Sequence, residues 1–67
     1  MSEQRLAVTI RDAAAMLGLS VALTEALVDE GDIPSLWIQT EAGLDETIIA
    51  VADLRQWLDR QIANQKN

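Results

Sequence analysis

The sequence predicts one small, mainly α-helical domain with a β-hairpin, in the order helix, turn, helix, hairpin, helix. Three observations carry this. Apolar residues recur at helical spacing in three segments, and the first two are joined by Gly18-Leu19-Ser20, a stretch short enough to force a tight turn. Two β-branched runs then flank the acidic loop Glu41–Glu46, which contains Gly43. A chain of 67 residues suffices for one domain and hides only about 60% of its unfolded surface, so core packing or self-association must supply its stability.

Residues 1–8 read as a lead-in in which Leu6, Val8 and Ile10 alternate as an extended segment does, 9–64 as the domain and 65–67 as a frayed tail. Thr9 fits an N-cap, with Asp12 three positions on favouring the positive end of a helix over Arg11–Leu17. Ala13, Ala14 and Leu17 share one face of it, and the two small residues permit close approach of a second helix. Gly18 ends this helix in a left-handed conformation, Leu19 points inward and Ser20 caps the next.

The second helix is expected over Val21–Glu30, with Leu23, Leu27 and Val28 inward, and it stops at Gly31 with Pro34 behind it. Leu36–Thr40 and Thr47–Val51 form the hairpin strands. Trp37 fits a core position; alternatively, if Leu36 and Ile38 face inward, alternation turns Trp37 outward, where it could anchor an interface. A last helix from Asp53 to about Asn64 carries Leu54, Trp57, Leu58 and Ile62 as an inward stripe. Arg55, Asp59 and Arg60 face water, with Arg55 and Asp59 spaced as a surface ion pair.

Composition narrows the chemistry. Without Cys or His there is no disulfide, no thiolate metal site and no pair of nucleophile and base. The acids are spread over helix ends and loops, and Glu41, Asp45 and Glu46 lack the ordered spacing of a calcium loop. No catalytic, cofactor-binding or metal-ligating residue is therefore expected, and the chain does not read as an enzyme. No apolar run is long enough for a signal peptide or a membrane span, so a cytoplasmic location and no membrane partner are expected. Eleven acidic against five basic side chains give a net charge of −6, which repels polyphosphates unless the cations gather on one face.

The string Ala13-Ala14-x-x-Leu17-Gly18-Leu19-Ser20, then Leu27-Val28-x-x-Gly31-x-Ile33-Pro34, then Asp53-Leu54-x-x-Trp57-Leu58, resembles the excisionase-like and MerR-like helix-turn-helix family over roughly residues 8 to 62. The resemblance implies a winged helix-turn-helix fold with the hairpin as the wing. It implies DNA binding, with the second helix in the major groove and the wing on backbone or minor groove, in a regulator of transcription or a partner of a phage integrase.

On that layout the recognition face comprises Val21, Ala22, Thr24, Glu25, Ala26 and Asp29, and the wing contacts are Trp37, Glu41, Asp45 and Glu46. Arg5 and Arg11 are the candidate phosphate contacts. The recognition helix and wing hold no base, where phosphates call for cations, and Thr24 is the neutral hydrogen-bonding side chain of the helix. Val21, Ala22 and Ala26 form a small apolar patch beside Glu25 and Asp29. This pattern supports an alternative: a protein-binding adaptor or inhibitor on the same fold, using the acidic and apolar second-helix face for a basic partner surface. A third reading is that a homodimer or a basic partner completes a DNA-binding surface.

Overall fold

The computed structural model describes residues 5–65; residues 1–4 of the lead-in and 66–67 of the tail, Lys66 included, lie outside the described residues. The chain forms three helices and a three-stranded antiparallel sheet, in the order β1 (Ala7–Thr9), α1 (Ile10–Leu17), α2 (Val21–Asp29), β2 (Leu36–Gln39), β3 (Asp45–Ala50) and α3 (Val51–Asn64). The strands are ordered β1-β3-β2. No helix among the described residues is long and apolar enough to cross a membrane.

Ala7 and Val8, read from the sequence as the end of a lead-in, and Thr9, read as a cap, together form a third strand of the sheet. Val8 sits opposite Ile49, and both are buried. The alternation at Leu6, Val8 and Ile10 hinted at extended backbone, but its pairing with β3 is a long-range event that no local pattern encodes. Thr9 then ends the strand and caps α1, its Oγ1 accepting from Asp12 N–H at 3.1 Å.

The turn between α1 and α2 forms as its residues dictate. Gly18 adopts φ 77°, which only glycine tolerates cheaply. Its N–H donates to Ala15 C=O, and Leu19 N–H reaches back to Ala14 C=O at 2.9 Å. Ser20 Oγ accepts from Leu23 N–H at 3.1 Å to open α2. The far end of α2 repeats the device: Gly31 takes φ 85°, Asp32 N–H bonds Leu27 C=O at 2.9 Å, and Glu30 is the cap.

Val8, Ala13, Ile33, Ile49 and Leu54 form the buried core, with Leu27, Val28 and Trp57 packed against it. This core is thin. Leu58 and Ile62, expected to continue the inward stripe of α3, are 43% and 49% exposed. α3 meets the core through its first two turns, by Val51, Leu54 and Trp57. Leu23 is likewise exposed, and the buried place on α2 that it was expected to take belongs to Thr24. The expected Arg55–Asp59 pair does not form; the ion pair among the described residues joins Arg5 to Asp12 at 3.2 Å.

Candidate functional site

Directly opposed residues of an antiparallel pair share a face of the sheet, and successive residues alternate faces. Val8, Ile49, Thr47, Trp37 and Asp45 therefore lie on the face that the helices cover, whereas Leu36, Ile38, Ile48 and Glu46 lie on the other. The condition that Leu36 and Ile38 face inward is not met: both are exposed, because no element among the described residues covers that outer face. Trp37 is 59% exposed, although the condition that was to turn it outward does not hold. It lies on the core-side face, beyond the point where the helices stop covering it.

That uncovered end of the sheet is a cleft. β1 pairs with β3 only from Ile48 onward, because the chain leaves the sheet after Thr9 to begin α1. Asp45, Glu46 and Thr47 are thus left with no strand on that side, facing the starts of α1 and α2. The open space, about 530 Å³, is lined by Ile10, Arg11, Val21, Glu25, Trp37, Asp45 and Glu46, with Thr9 and Thr47 completing it. Arg11, Glu25 and Asp45 border it from three separate elements, while Glu46, on the opposite face of the sheet by its place in the register, lies at its edge.

Six of the residues proposed from the sequence converge here: Val21 and Glu25 from α2, Trp37, Asp45 and Glu46 from the hairpin, and Arg11 from α1. The others do not. Thr24 is fully buried, and its Oγ1 donates to Ser20 C=O at 2.9 Å; it belongs to the interior and is withdrawn as a contact residue. Ala22 and Asp29 are exposed and Ala26 is half-buried, all on α2 outside the cleft lining. Glu41 stands in the hairpin turn, where Thr40 and Leu44 close the loop through backbone and hydroxyl bonds.

Arg5 lies elsewhere. It pairs with Asp12 and lines a second groove of about 660 Å³ with Leu6, Val8, Met16, Val51, Ala52 and Arg55. The meeting of Arg5 with Arg55 was not foreseen. These residues are fifty positions apart in the chain, and only the pairing of β1 with β3, continued by the bond from Val51 N–H to Leu6 C=O at 2.9 Å, brings them together.

The cleft offers hydrogen-bond acceptors and negative charge around an indole and the Val21 side chain. Such a surface attracts cationic side chains and repels phosphates. No group of three or more acidic side chains placed to hold a metal ion occurs among the described residues. Compared with protein-family models, with curated proteins and with solved structures, the chain has no significant match.

Proposed function

We propose that this chain is a small regulatory protein of winged helix-turn-helix architecture whose working face is α2 together with the β2–β3 hairpin, and that this face docks a basic surface of a partner protein. One observation carries the reading: Glu25 and Asp45 border a single cleft with Trp37 and Val21, and Arg11 is the cation beside them. An arginine or lysine from a partner would find an aromatic face for its cation and carboxylates beside it, an arrangement worth about 1 kcal/mol or more once water is displaced. The protein would act as an adaptor or inhibitor, with no chemistry of its own.

Direct binding to DNA is the second reading. It is favoured by the order helix, turn, helix, hairpin, and by Arg11 at the cleft. Its electrostatic footprint is slight. Arg5 is engaged by Asp12, and α2 and the hairpin carry no cation. With one or two phosphates neutralised, affinity for duplex DNA would fall only gently with salt, from an already weak value.

Titration of the protein with an arginine-rich peptide, followed by Trp37 emission in a Trp57→Phe background, tests the first reading. The expected result is saturable binding that weakens as salt rises, and that is lost in the double variant Glu25→Lys, Asp45→Lys. An electrophoretic shift with duplex DNA at low salt tests the second. A shift retained by that double variant but lost in Arg11→Ala, together with no peptide response, would overturn the protein-docking reading in favour of DNA.

A further inference from the structure

β2 is an edge strand that no element among the described residues covers. Its outer side is unpaired because the strand order is β1-β3-β2, and Leu36-Trp37-Ile38-Gln39 carries no charge, no proline and no buried residue. Natural sheets guard their edges with lysines, prolines or bulges. Here Leu36, Trp37 and Ile38 are 58%, 59% and 41% exposed.

We propose that the β2 edge is a self-association surface, on which a second copy of this chain pairs its own β2 antiparallel to form a continuous six-stranded sheet. The hydrogen-bond phase supports it. Thr40 N–H donates to Leu44 C=O at 2.7 Å, and the register continues as Gln39 opposite Asp45, Ile38 opposite Glu46 and Trp37 opposite Thr47. Because bonded and non-bonded pairs alternate along an antiparallel ladder, Ile38 and Leu36 spend their backbone groups on β3. The N–H and C=O of Trp37 and Gln39 then point to the open edge. Pro34 falls in the phase that faces β3, so it removes no outward donor.

A two-fold axis perpendicular to the sheet keeps like faces together, which requires pairing between residues of the same phase. Centring it on Trp37 lets the two Trp37 residues exchange both N–H to C=O bonds. The same register sets Leu36 of each copy against Ile38 of the other on the uncovered face, so the apolar side chains that each chain leaves in water cover one another. It also brings the two Trp37 side chains side by side at the margins of both acidic clefts, which become one longer groove.

Exposed area favours this occupant and net charge opposes it. The chain exposes 5326 Å², against about 4,200 Å² for a compact monomer of 7.3 kDa. Part of that exposed area is the apolar surface of Leu36, Trp37 and Ile38, which pairing with a second copy would cover. Each copy carries a net charge of −6, so association is opposed at long range. Antiparallel pairing is the arrangement that reduces this, since it sends the two Glu41 turns to opposite ends, whereas parallel pairing would align them.

The proposal is independent of the choice between a basic partner and DNA, and its test uses neither. Sedimentation equilibrium of the whole chain should give twice the mass of 7.3 kDa at high micromolar protein. The dimer should tighten several-fold as salt screens the like charges, opposite to the expectation for either ligand. Hydrogen exchange should show the amides of Trp37 and Gln39 gaining protection as concentration rises, while that of Ile38, already bonded to β3, stays unchanged. The variant Leu36→Lys, Ile38→Lys alters exposed side chains only and should sediment as a monomer; Leu58→Lys, Ile62→Lys should remain dimeric. A mass of one chain at every concentration and salt, or a dimer whose Trp37 and Gln39 amides gain no protection, would overturn it.

Discussion

Thr24 shows how a single side chain can be misread in a helical sequence. A threonine between Leu23 and Glu25 looks like a surface residue, yet it is fully buried while Leu23 is 48% exposed. Its hydroxyl bonds the carbonyl one turn back, so the only polar atom is satisfied inside the helix and the methyl packs. Ser20 C=O also accepts Thr24 N–H at 3.1 Å and would keep a partner without the hydroxyl. Thr24→Val should therefore change stability by no more than about 1 kcal/mol, measured by urea unfolding, and should leave partner binding intact. Trp57 presents the reverse case. Its indole N–H is buried with no acceptor among the described residues. Trp57→Phe removes the orphan donor and should cost less than about 1 kcal/mol, whereas Trp57→Ala should cost about 3–5 kcal/mol.

At the scale of elements, α2 is built against its own stability. Asp29 and the cap Glu30 put two carboxylates at the negative end of the helix, where each is unfavourable by about 0.3–1 kcal/mol, and no base offsets them in the last turn. Asp29→Lys should stabilise the fold by about 1 kcal/mol, raising the melting midpoint by about 4–8 °C. A variant that melts no higher would remove the helix dipole as the reason Asp29 is costly. The elements were well marked in the sequence: the caps Thr9 and Ser20, the stops Gly18 and Gly31 and the hairpin around Gly43 all occupy their expected places. Their ends moved by one or two residues, as at α3, which starts at Val51 rather than Asp53 because β3 runs straight into it without a side-chain cap. β1 was the element hardest to foresee. Three residues make a strand only because β3 lies beside them.

For the whole molecule the decisive property is thinness. Extents of 49 × 34 × 17 Å leave room for little more than one layer of helices on one face of the sheet, and the opposite face of β2 stays wet. Charge then sorts the roles of the exposed surfaces. The cleft between α2 and the hairpin is acidic and would release a basic ligand as salt rises, while the uncharged β2 edge joins like-charged copies and should hold them better in salt. The opposite signs make the two proposals separable in one salt series on the same protein, read by peptide titration on one side and sedimentation on the other.

The sequence by itself determined what is local: where helices begin and end, which turn joins α1 to α2, where the hairpin lies and that its surroundings are acidic. These follow from capping chemistry, from glycine's access to positive φ and from charges that no fold can move off the chain. Only the tertiary structure decided which face each periodic residue meets. It buried Thr24 instead of Leu23, left Leu58 and Ile62 in water, gathered Arg11, Glu25, Trp37, Asp45 and Glu46 into one cleft and put Arg5 in another. Facing depends on how much neighbouring surface arrives to cover a residue. In a chain this small that surface is limited, so a pattern of apolar spacing overstates the core.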